Sequence, residues 1–314
     1  MTKNISHIHL FELHPQIQEK IYCFLNEEFR TKFFSDFLKF YSSISQASRR
    51  LNISEDKVRG WIKGKNVRKV QHRIIPIQAS ILFRLSRDMN YELEKVEANI
   101  IGLKTKGANS SILRNPKLPI KLDYHLGRLV GCALGDGHLT KHFTIIYSNT
   151  STELIKELKK CVLRLGKIKV RDKVSKKFKY LIIPSIIGTI LNGLGVISGN
   201  KTKQKEYVRL PKITFKSPLE FKLGVISGLF DDEGSVIKGG KIKFKQALPN
   251  LVEELKELIQ SIKINTSERL QDGNEYCFYI YRKKDREKVK KLELFKHPEK
   301  VKRLNKIIGG DKVN

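Results

Sequence analysis

The sequence predicts an α+β protein in which one unit of helices and antiparallel strands occurs twice, preceded by an all-helical N-terminal part. A glycine-rich phrase recurs after a constant step of 97 residues, from Gly131 to Gly228 and from Asp136 to Glu233. Helical and strand-like periodicities then follow in the same order behind both copies. We therefore expect an N-terminal domain with its linker over residues 1–115, a first repeat over 116–216 and a second over 217–314.

The N-terminal part contains apolar residues with the spacing of a helix-turn-helix core, at positions 47, 51, 53, 58 and 61. Asn52 falls at the turn, where a left-handed residue is useful, and Ser54 is placed to cap the second helix. An ordinary helix pair in a bundle is the alternative. The exposed side of the second helix offers a set of basic residues for a DNA groove, namely Arg59, Lys63, Lys65 and Arg68. Residues 102–121, rich in Gly, Asn, Ser and Pro, predict a linker.

Two segments have glycine at every fourth position, which forms a smooth stripe on a helix. Gly127, Gly131 and Gly135 make the first stripe, and Gly224 and Gly228 make the second. Helices with such stripes pack very closely, as they also do in membranes. Neither segment has the roughly 20 apolar residues of a membrane span. We therefore expect the two helices to cross inside a soluble domain.

Each stripe ends in an acid followed by glycine, as Asp136-Gly137 and Glu233-Gly234. The glycine is expected to permit the turn that stops the helix. Helix C-termini disfavour negative charge, and two neighbouring carboxylates repel each other, so a cation is expected between them. Mg²⁺ commonly takes one or two carboxylates together with water and substrate phosphate. Solvated turn residues are the alternative, but the matched repeat favours a metal site.

The remaining elements follow from periodicity. The first half predicts strands over 142–148, 167–174 and 178–183, with helices over 152–165 and 185–194. The second half predicts strands over 236–238, 241–246, 267–270 and 275–281, with a helix over 250–262. Gly239-Gly240 and Asp272-Gly273 are hairpin-turn pairs.

Two of these strands alternate basic with other residues. Successive side chains of a strand point to opposite faces, so one face of each is cationic. Ordinary solvation of such a face is the alternative, but its recurrence in both halves favours contact with the major groove of DNA. The predicted contact residues are Lys167, Lys169, Arg171, Lys173, Lys241, Lys243 and Lys245.

Composition also indicates a nucleic-acid partner, because 62 Lys and Arg against 32 Asp and Glu give a formal net charge of +30. No signal-peptide pattern or lipidation motif favours a membrane. The four cysteines are isolated in sequence, which predicts buried, reduced thiols and no zinc site. We expect a cytoplasmic, nucleoid-associated protein.

The segments 129–137 and 226–234 resemble the two signature motifs of the LAGLIDADG homing endonucleases in their single-chain, two-repeat form. The resemblance implies two pseudo-symmetric αββαββα repeats that form a DNA-binding saddle, and a monomer with an internal pseudo-twofold axis. It implies that Asp136 and Glu233 are catalytic and bind Mg²⁺ or Mn²⁺. Asp232 departs from the pattern, since a small residue often packs there. The resemblance also suggests Asn149 and Gln246 as residues that position phosphate or water. No lysine matches a family position, and Lys203 and Lys205 are candidates for assisting in the same way.

The activity implied by this resemblance is site-specific hydrolysis of both strands of DNA. Two alternatives use the same scaffold, a DNA-binding transcriptional regulator that does not cut and a maturase that binds intron RNA. Loss of either motif acid would favour the regulator, and both acids are present. The sequence discriminates poorly against the maturase.

Overall fold

The computed structural model describes residues 5–64, 75–107, 110–175 and 178–309. The chain divides into two compact units. The smaller unit comprises residues 8–120 with 165–168, and the larger comprises 1–7, 121–164 and 169–314. No helix within the described ranges is long and apolar enough to cross a membrane.

The smaller unit combines helices with a sheet. Its helices are α1 (Pro15–Gln18), α2 (Glu27–Tyr41), α3 (Ile44–Leu51), α4 (Glu55–Lys63), α5 (Ala79–Asp88) and α6 (Leu93–Ala98). The strands of this region are β1 (His7–Ile8), β2 (Ile21–Leu25), β3 (Ile77–Gln78), β4 (Ile100–Thr105), β5 (Leu113–Arg114) and β6 (Ile120–Lys121). One antiparallel sheet has the order β3-β2-β4-β5.

The prediction of an all-helical N-terminal part is therefore wrong. Strand β2 alternates buried and half-buried residues, and its main partner β4 is distant in the chain. A pairing between such distant segments leaves no local signature of a sheet. The predicted linker is wrong in part for the same reason, because residues 102–105 belong to β4 and residues 113–114 form β5.

Helices α3 and α4 form the expected pair with a tight turn. Asn52 adopts a left-handed conformation with φ 53° at the end of α3, and Ser54 directly precedes α4. Ala47, Val58 and Trp61 are buried. These residues pack the pair together, while its role in DNA binding stays a prediction.

The larger unit contains both repeats. Its helices are α7 (Tyr124–Leu134), α8 (Thr152–Arg164), α9 (Ser185–Leu194), α10 (Ile213–Lys216), α11 (Leu219–Glu233), α12 (Pro249–Ser261), α13 (Lys283–Lys291) and α14 (Pro298–Ile308). Its strands are β7 (Gly137–Leu139), β8 (Ile145–Asn149), β9 (Arg171–Ser175), β10 (Phe178–Ile183), β11 (Gly234–Val236), β12 (Ile242–Gln246), β13 (Leu270–Asp272) and β14 (Glu275–Ile280).

The two repeats have the same topology. The first sheet has the order β7-β8-β10-β9 and the second has the order β11-β12-β14-β13. Every neighbouring pair in both sheets is antiparallel. With α7 and α11 at their starts, both repeats follow the αββαββα order, which confirms the predicted fold.

Some predicted strands are displaced or shortened. Strand β9 begins at Arg171, and Lys167 instead forms an isolated antiparallel bridge with Arg114. The backbone N–H of Arg114 donates to the Lys167 carbonyl at 2.8 Å, and the reverse bond has the same length. Residues 238–240 form a 3₁₀ turn, and β13 begins only at Leu270.

The two glycine-striped helices pack directly backbone to backbone, as predicted. A side-chain carbon at Gly127 would collide with the Phe221 carbonyl of the facing helix. A side-chain carbon at Gly228 would lie 2.8 Å from the backbone nitrogen of Cys132. This close approach brings the C-terminal ends of α7 and α11 together.

The glycines after the two acids have a different role from the one predicted. Gly234 has φ −77°, and Gly137 is not among the residues with positive φ. Both are instead sites of close packing. A side-chain carbon at Gly137 would lie 2.8 Å from the Cα of Ala133, and one at Gly234 would lie 2.6 Å from the Phe230 carbonyl oxygen.

Candidate active site

The site is formed where α7 and α11 end. Asp136 follows α7 and is solvent-exposed, while Glu233 is the last residue of α11 and is half-buried. The two lie close enough that the charge of Asp136 contributes to raising the pKa of Glu233. The two motif acids therefore lie near each other, as predicted.

Each acid has an amide side chain from its own repeat beside it. Asn149 Nδ2 lies 3.4 Å from Asp136 Oδ2, and Gln246 Nε2 donates to Glu233 Oε1 at 2.6 Å. Asn149 ends β8 and Gln246 ends β12, and the two positions are again separated by 97 residues. The strands therefore present matched amides to matched acids.

Each motif helix also has a lysine at its C-terminal end. Lys201 Nζ donates to the carbonyl oxygens of α7, including that of Leu134 at 2.8 Å. Lys300 Nζ donates to the carbonyl oxygens of α11, including that of Asp231 at 2.6 Å. These ammonium groups offset the negative ends of the two helices, which explains how the fold tolerates carboxylates there.

A third carboxylate lies between the helix ends. Asp232 Oδ1 accepts a hydrogen bond from Tyr147 Oη at 2.7 Å, and its Oδ2 accepts one from the Asp136 backbone N–H at 3.0 Å. The position that matches Asp232 in the first repeat is Gly135, and a side-chain carbon there would collide with the Asp232 carboxylate. The extra acid therefore occupies space that the glycine leaves free.

Desolvation dominates the electrostatics of this cluster. It raises the pKa of Glu233 to about 7, with a second contribution from the charge of Asp136. It also raises the pKa of Asp136, and it holds the pKa of Asp232 well above its usual range. Burial lowers the pKa values of Lys201 and Lys300, against the attraction of the surrounding acids. The raised pKa values of the three acids show that the two lysines do not fully compensate the cost of burying negative charge in this cluster.

The donor atoms suit a hard divalent cation. Asp136 and Glu233 offer carboxylate oxygens, whereas both oxygens of Asp232 already accept hydrogen bonds. Oxygen donors select Mg²⁺ or Mn²⁺ over softer metals. Asp136 and Glu233 are therefore the residues that would hold such an ion.

A different lysine from the two candidates contacts the end of α7. Lys203 is exposed on the 3₁₀ turn Thr202–Gln204 and Lys205 is exposed just after it, whereas Lys201, just before the turn, reaches the helix end. Lys201 lies 65 residues after Asp136, and Lys300 lies 67 residues after Glu233. This similar spacing is the sequence feature that could have identified Lys201 and Lys300. It is a weak one, because a chain with so many lysines contains other pairs with a similar spacing.

The two predicted cationic faces differ. Lys167, Lys169, Arg171 and Lys173 are exposed, although Lys167 and Lys169 precede β9. Both faces of β9 are exposed, and Asp172 on this strand pairs with Lys159 at 2.7 Å.

The cationic face of β12 is neutralised in part by acids. Lys243 pairs with Asp272 at 2.8 Å, and Lys245 pairs with Glu275 at 2.6 Å. Lys241 precedes β12 and is exposed. The prediction of a uniformly cationic face is therefore wrong here, because neighbouring strands supply acids that the alternation within one strand does not reveal.

The helix-turn-helix candidates are partly described. Arg59 and Lys63 lie on α4, and Arg59 is exposed. Arg59 forms an ion pair with Glu55, one turn earlier, at 3.0 Å. Lys65 and Arg68 lie outside the described residues.

Residues 220–293 match the family model of the LAGLIDADG-like domain. The chain contains a LAGLIDADG-like domain. This match covers most of the second repeat, including Glu233, and confirms the resemblance drawn from the second motif.

Two curated proteins are similar to parts of this chain. Subunit Rpo1C of the DNA-directed RNA polymerase of Methanocaldococcus jannaschii is 28% identical over 179 residues, which cover 56% of this chain and 18% of that protein. A DNA polymerase of Thermococcus kodakarensis is 24% identical over 171 residues, which cover 51% of this chain and 10% of that protein. The matched part of the chain thus spans less than a fifth of either relative.

Solved structures are also similar to parts of this chain. The homing endonuclease I-DmoI, in complex with DNA and Ca, is 16% identical with a TM-score of 0.44, covering 59% of this chain and 98% of that chain. Full-length DUF199/WhiA from Thermatoga maritima is 15% identical with a TM-score of 0.41, covering 62% of each chain.

Proposed function

We propose that this LAGLIDADG protein is a site-specific endonuclease that hydrolyses both strands of DNA with the help of Mg²⁺ or Mn²⁺. The observation that carries the proposal is that the C-terminal ends of α7 and α11 have matching sets of side chains. Each has an acid, an amide and a lysine: Asp136, Asn149 and Lys201 in one repeat, and Glu233, Gln246 and Lys300 in the other. A protein that only binds DNA has no need of such a pair of sites.

The residues of the site have separate tasks in this proposal. Asp136 and Glu233 hold the ions, and Asn149 and Gln246 orient the acids and the water near them. The ammonium groups of Lys201 and Lys300 lie where negative charge would build up on a scissile phosphate. A bound divalent ion would supply activation of water and stabilisation of the leaving oxygen.

The basic surface supplies affinity for the DNA backbone. The net charge of +30 favours a polyanion, and the exposed residues Lys169, Arg171 and Lys173 extend along one repeat. We propose that α3 and α4 form a helix-turn-helix that adds a second DNA contact through Arg59 and Lys63. We also propose that the protein acts as a monomer, in the cytoplasm with the nucleoid, because that is where its DNA substrate lies.

The decisive experiment compares cutting with binding. Asp136→Asn and Glu233→Gln are expected to abolish Mg²⁺-dependent cleavage while affinity for the target, measured in Ca²⁺, stays within about threefold. Glu257→Gln, an exposed acid on α12, is the matched control and is expected to cut normally. The target is first selected from a random-sequence DNA library by sequencing cleaved ends. Undiminished cutting by either site variant would refute the proposal.

The same assay separates the two alternatives. If the wild-type protein binds a selected DNA sequence but leaves it intact with Mg²⁺ and with Mn²⁺, the regulator is the correct function. If structured intron RNA displaces DNA at equal concentration and the DNA is not cut, the maturase is correct.

The helix-turn-helix proposal has its own test. Arg59→Ala combined with Lys63→Ala is expected to reduce target affinity about tenfold or more and to shorten the footprint, with the cleavage rate at saturation unchanged. Lys39→Ala, on the exposed side of α2, is the control. An unaltered affinity and footprint would show that α4 does not contact DNA.

A further inference from the structure

A second cluster of metal-binding side chains lies in the first repeat. His125 belongs to the first turn of α7, and Glu157 and Cys161 lie one turn apart on α8. One ligand atom from each residue lies within 4.8 Å of the other two. None of the three residues belongs to the set that surrounds the motif acids.

The geometry of this cluster suits a tetrahedral ion. The Cys161 sulfur lies 3.6 Å from His125 Nδ1. Zinc binds sulfur at about 2.3 Å and nitrogen at about 2.0–2.1 Å, so two such bonds at the tetrahedral angle separate the ligand atoms by about 3.6 Å. A Glu157 carboxylate oxygen lies within 4.8 Å of the ligand atoms of His125 and Cys161, and Glu157 shares a face of α8 with Cys161 because residues four apart on a helix are neighbours.

The three ligands also differ in burial, which leaves one side of the site open to solvent. Cys161 is fully buried, whereas His125 is half-buried and the Glu157 side chain is 28% exposed. An ion can therefore enter from the solvent side, and water can fill a fourth position there. Lys160 lies 3.9 Å from Glu157 with its side chain 75% exposed, so it can swing away when the carboxylate binds an ion.

We propose that His125, Glu157 and Cys161 form a zinc site that ties the start of α7 to α8. The mixed sulfur, nitrogen and oxygen donors select a borderline ion such as Zn²⁺, in contrast with the oxygen donors of the motif acids. Coordination requires the Cys161 thiol to release its proton to the buffer. The prediction from sequence that no zinc site exists rested on the absence of closely spaced cysteines, and a site assembled from two helices escapes that criterion.

Zn²⁺ bound at this site stabilises the folded chain by an amount that grows with the logarithm of the Zn²⁺ concentration above the dissociation constant, because the unfolded chain does not hold the three ligands together. The proposal does not depend on nuclease activity. It therefore has tests that are independent of DNA cleavage.

The first test uses Co²⁺ as a spectroscopic substitute on the untagged, full-length protein after treatment with a chelator. We expect a sulfur-to-cobalt charge-transfer band in the near ultraviolet that Zn²⁺ abolishes, a band that Co²⁺ held only by the carboxylates of the motif acids does not produce. Cys161→Ser is expected to remove the band. Cys277→Ser, which alters another buried cysteine, is the matched control and should retain it. Absence of the band in the wild type, or its persistence in Cys161→Ser, would overturn the proposal.

A second variant tests the site without changing the buried Cys161, whose replacement could disturb folding. Glu157→Gln changes a partly exposed side chain, and we expect it to weaken Zn²⁺ binding at least about tenfold in competition with a chromophoric chelator. Asp136→Asn combined with Glu233→Gln should bind Zn²⁺ as tightly as the wild type. Equal affinity in Glu157→Gln would remove Glu157 from the site, and loss in the double variant would assign the zinc to the motif acids instead.

Thermal unfolding provides a last readout. Zn²⁺ at about 100 times its dissociation constant is expected to raise the melting temperature of the wild type and of Cys277→Ser, but not that of Cys161→Ser. No shift in the wild type at saturation would show that the ion does not bind the folded protein in preference to the unfolded chain.

Discussion

Arg128 and Asp231 form an ion pair that is completely buried between the two motif helices, with Nη2 of the arginine 2.6 Å from Oδ2 of the aspartate. The Arg128 Nη1 also donates to Ser227 Oγ at 2.6 Å. The positions that match this pair through the repeat are Val225 and Leu134. The interface is therefore pseudo-symmetric in its backbone but asymmetric in its polar contacts, which favours pairing of the first repeat with the second over pairing of like repeats.

The ion pair predicts a large effect on stability when one partner is removed. Arg128→Met leaves the Asp231 carboxylate buried without its cation, and we expect a loss of about 3–5 kcal/mol in the free energy of unfolding. Urea unfolding followed by circular dichroism measures it. Arg128→Met combined with Asp231→Asn should recover part of this loss, since the amide still accepts the backbone N–H groups of Lys296 and His297. A loss below about 1 kcal/mol in the single variant would contradict the assignment.

The two lysines at the helix ends predict a defect in cutting that binding does not share. Lys201→Met or Lys300→Met is expected to slow cleavage by about 10²–10³, the usual effect of removing one donor to developing charge. Single-turnover assays on a plasmid target should also show accumulation of the nicked form, because each lysine serves one helix end. Lys203→Met removes an exposed lysine from the same turn and is expected to cut at the wild-type rate. If Lys203→Met cut DNA more slowly than Lys201→Met, the result would favour Lys203, the candidate from the sequence, over Lys201.

The raised pKa of Glu233 predicts how the stability of the metal-free protein depends on pH. The folded protein keeps this proton up to a pKa of about 7, whereas the unfolded chain releases it near the ordinary pKa of 4.5. The contribution of Glu233 is therefore fully present below pH 4.5 and is lost as pH rises through 7, and it amounts to about 3 kcal/mol. Glu233→Gln should lose that part of the slope in urea titrations across this pH range. Parallel curves for the two proteins would contradict the shift.

The unequal basic surfaces predict unequal dependence of DNA binding on salt. Lys169→Glu with Arg171→Glu should weaken binding and reduce the log-log salt slope by about 0.9 for each phosphate that the protein no longer neutralises. Lys243→Glu with Lys245→Glu should have a smaller effect, because these lysines already pair with Asp272 and Glu275. Fluorescence anisotropy over a salt range of about 50–300 mM measures both. Equal reductions in the slope would show that DNA displaces the ion pairs of β12.

The duplicated architecture and the position of the two acids can be predicted from the amino-acid sequence. A step of 97 residues, glycine at every fourth position and a terminal acid are local features, and a close helix crossing is the arrangement that satisfies all three. Asn149 and Gln246 are candidates through the family resemblance, and in the structure they end the matched strands β8 and β12.

The distant residues that complete these sites become evident only in the folded chain. Lys201 and Lys300 reach the helix ends from positions 65 and 67 residues beyond the acids, and nothing in their local sequence separates them from the neighbouring lysines. The strands of the N-terminal part, the acids that neutralise β12 and the grouping of His125 with Cys161 depend likewise on contacts between remote segments. Periodicity reports how one segment is buried, and only the folded chain determines which other segment buries it.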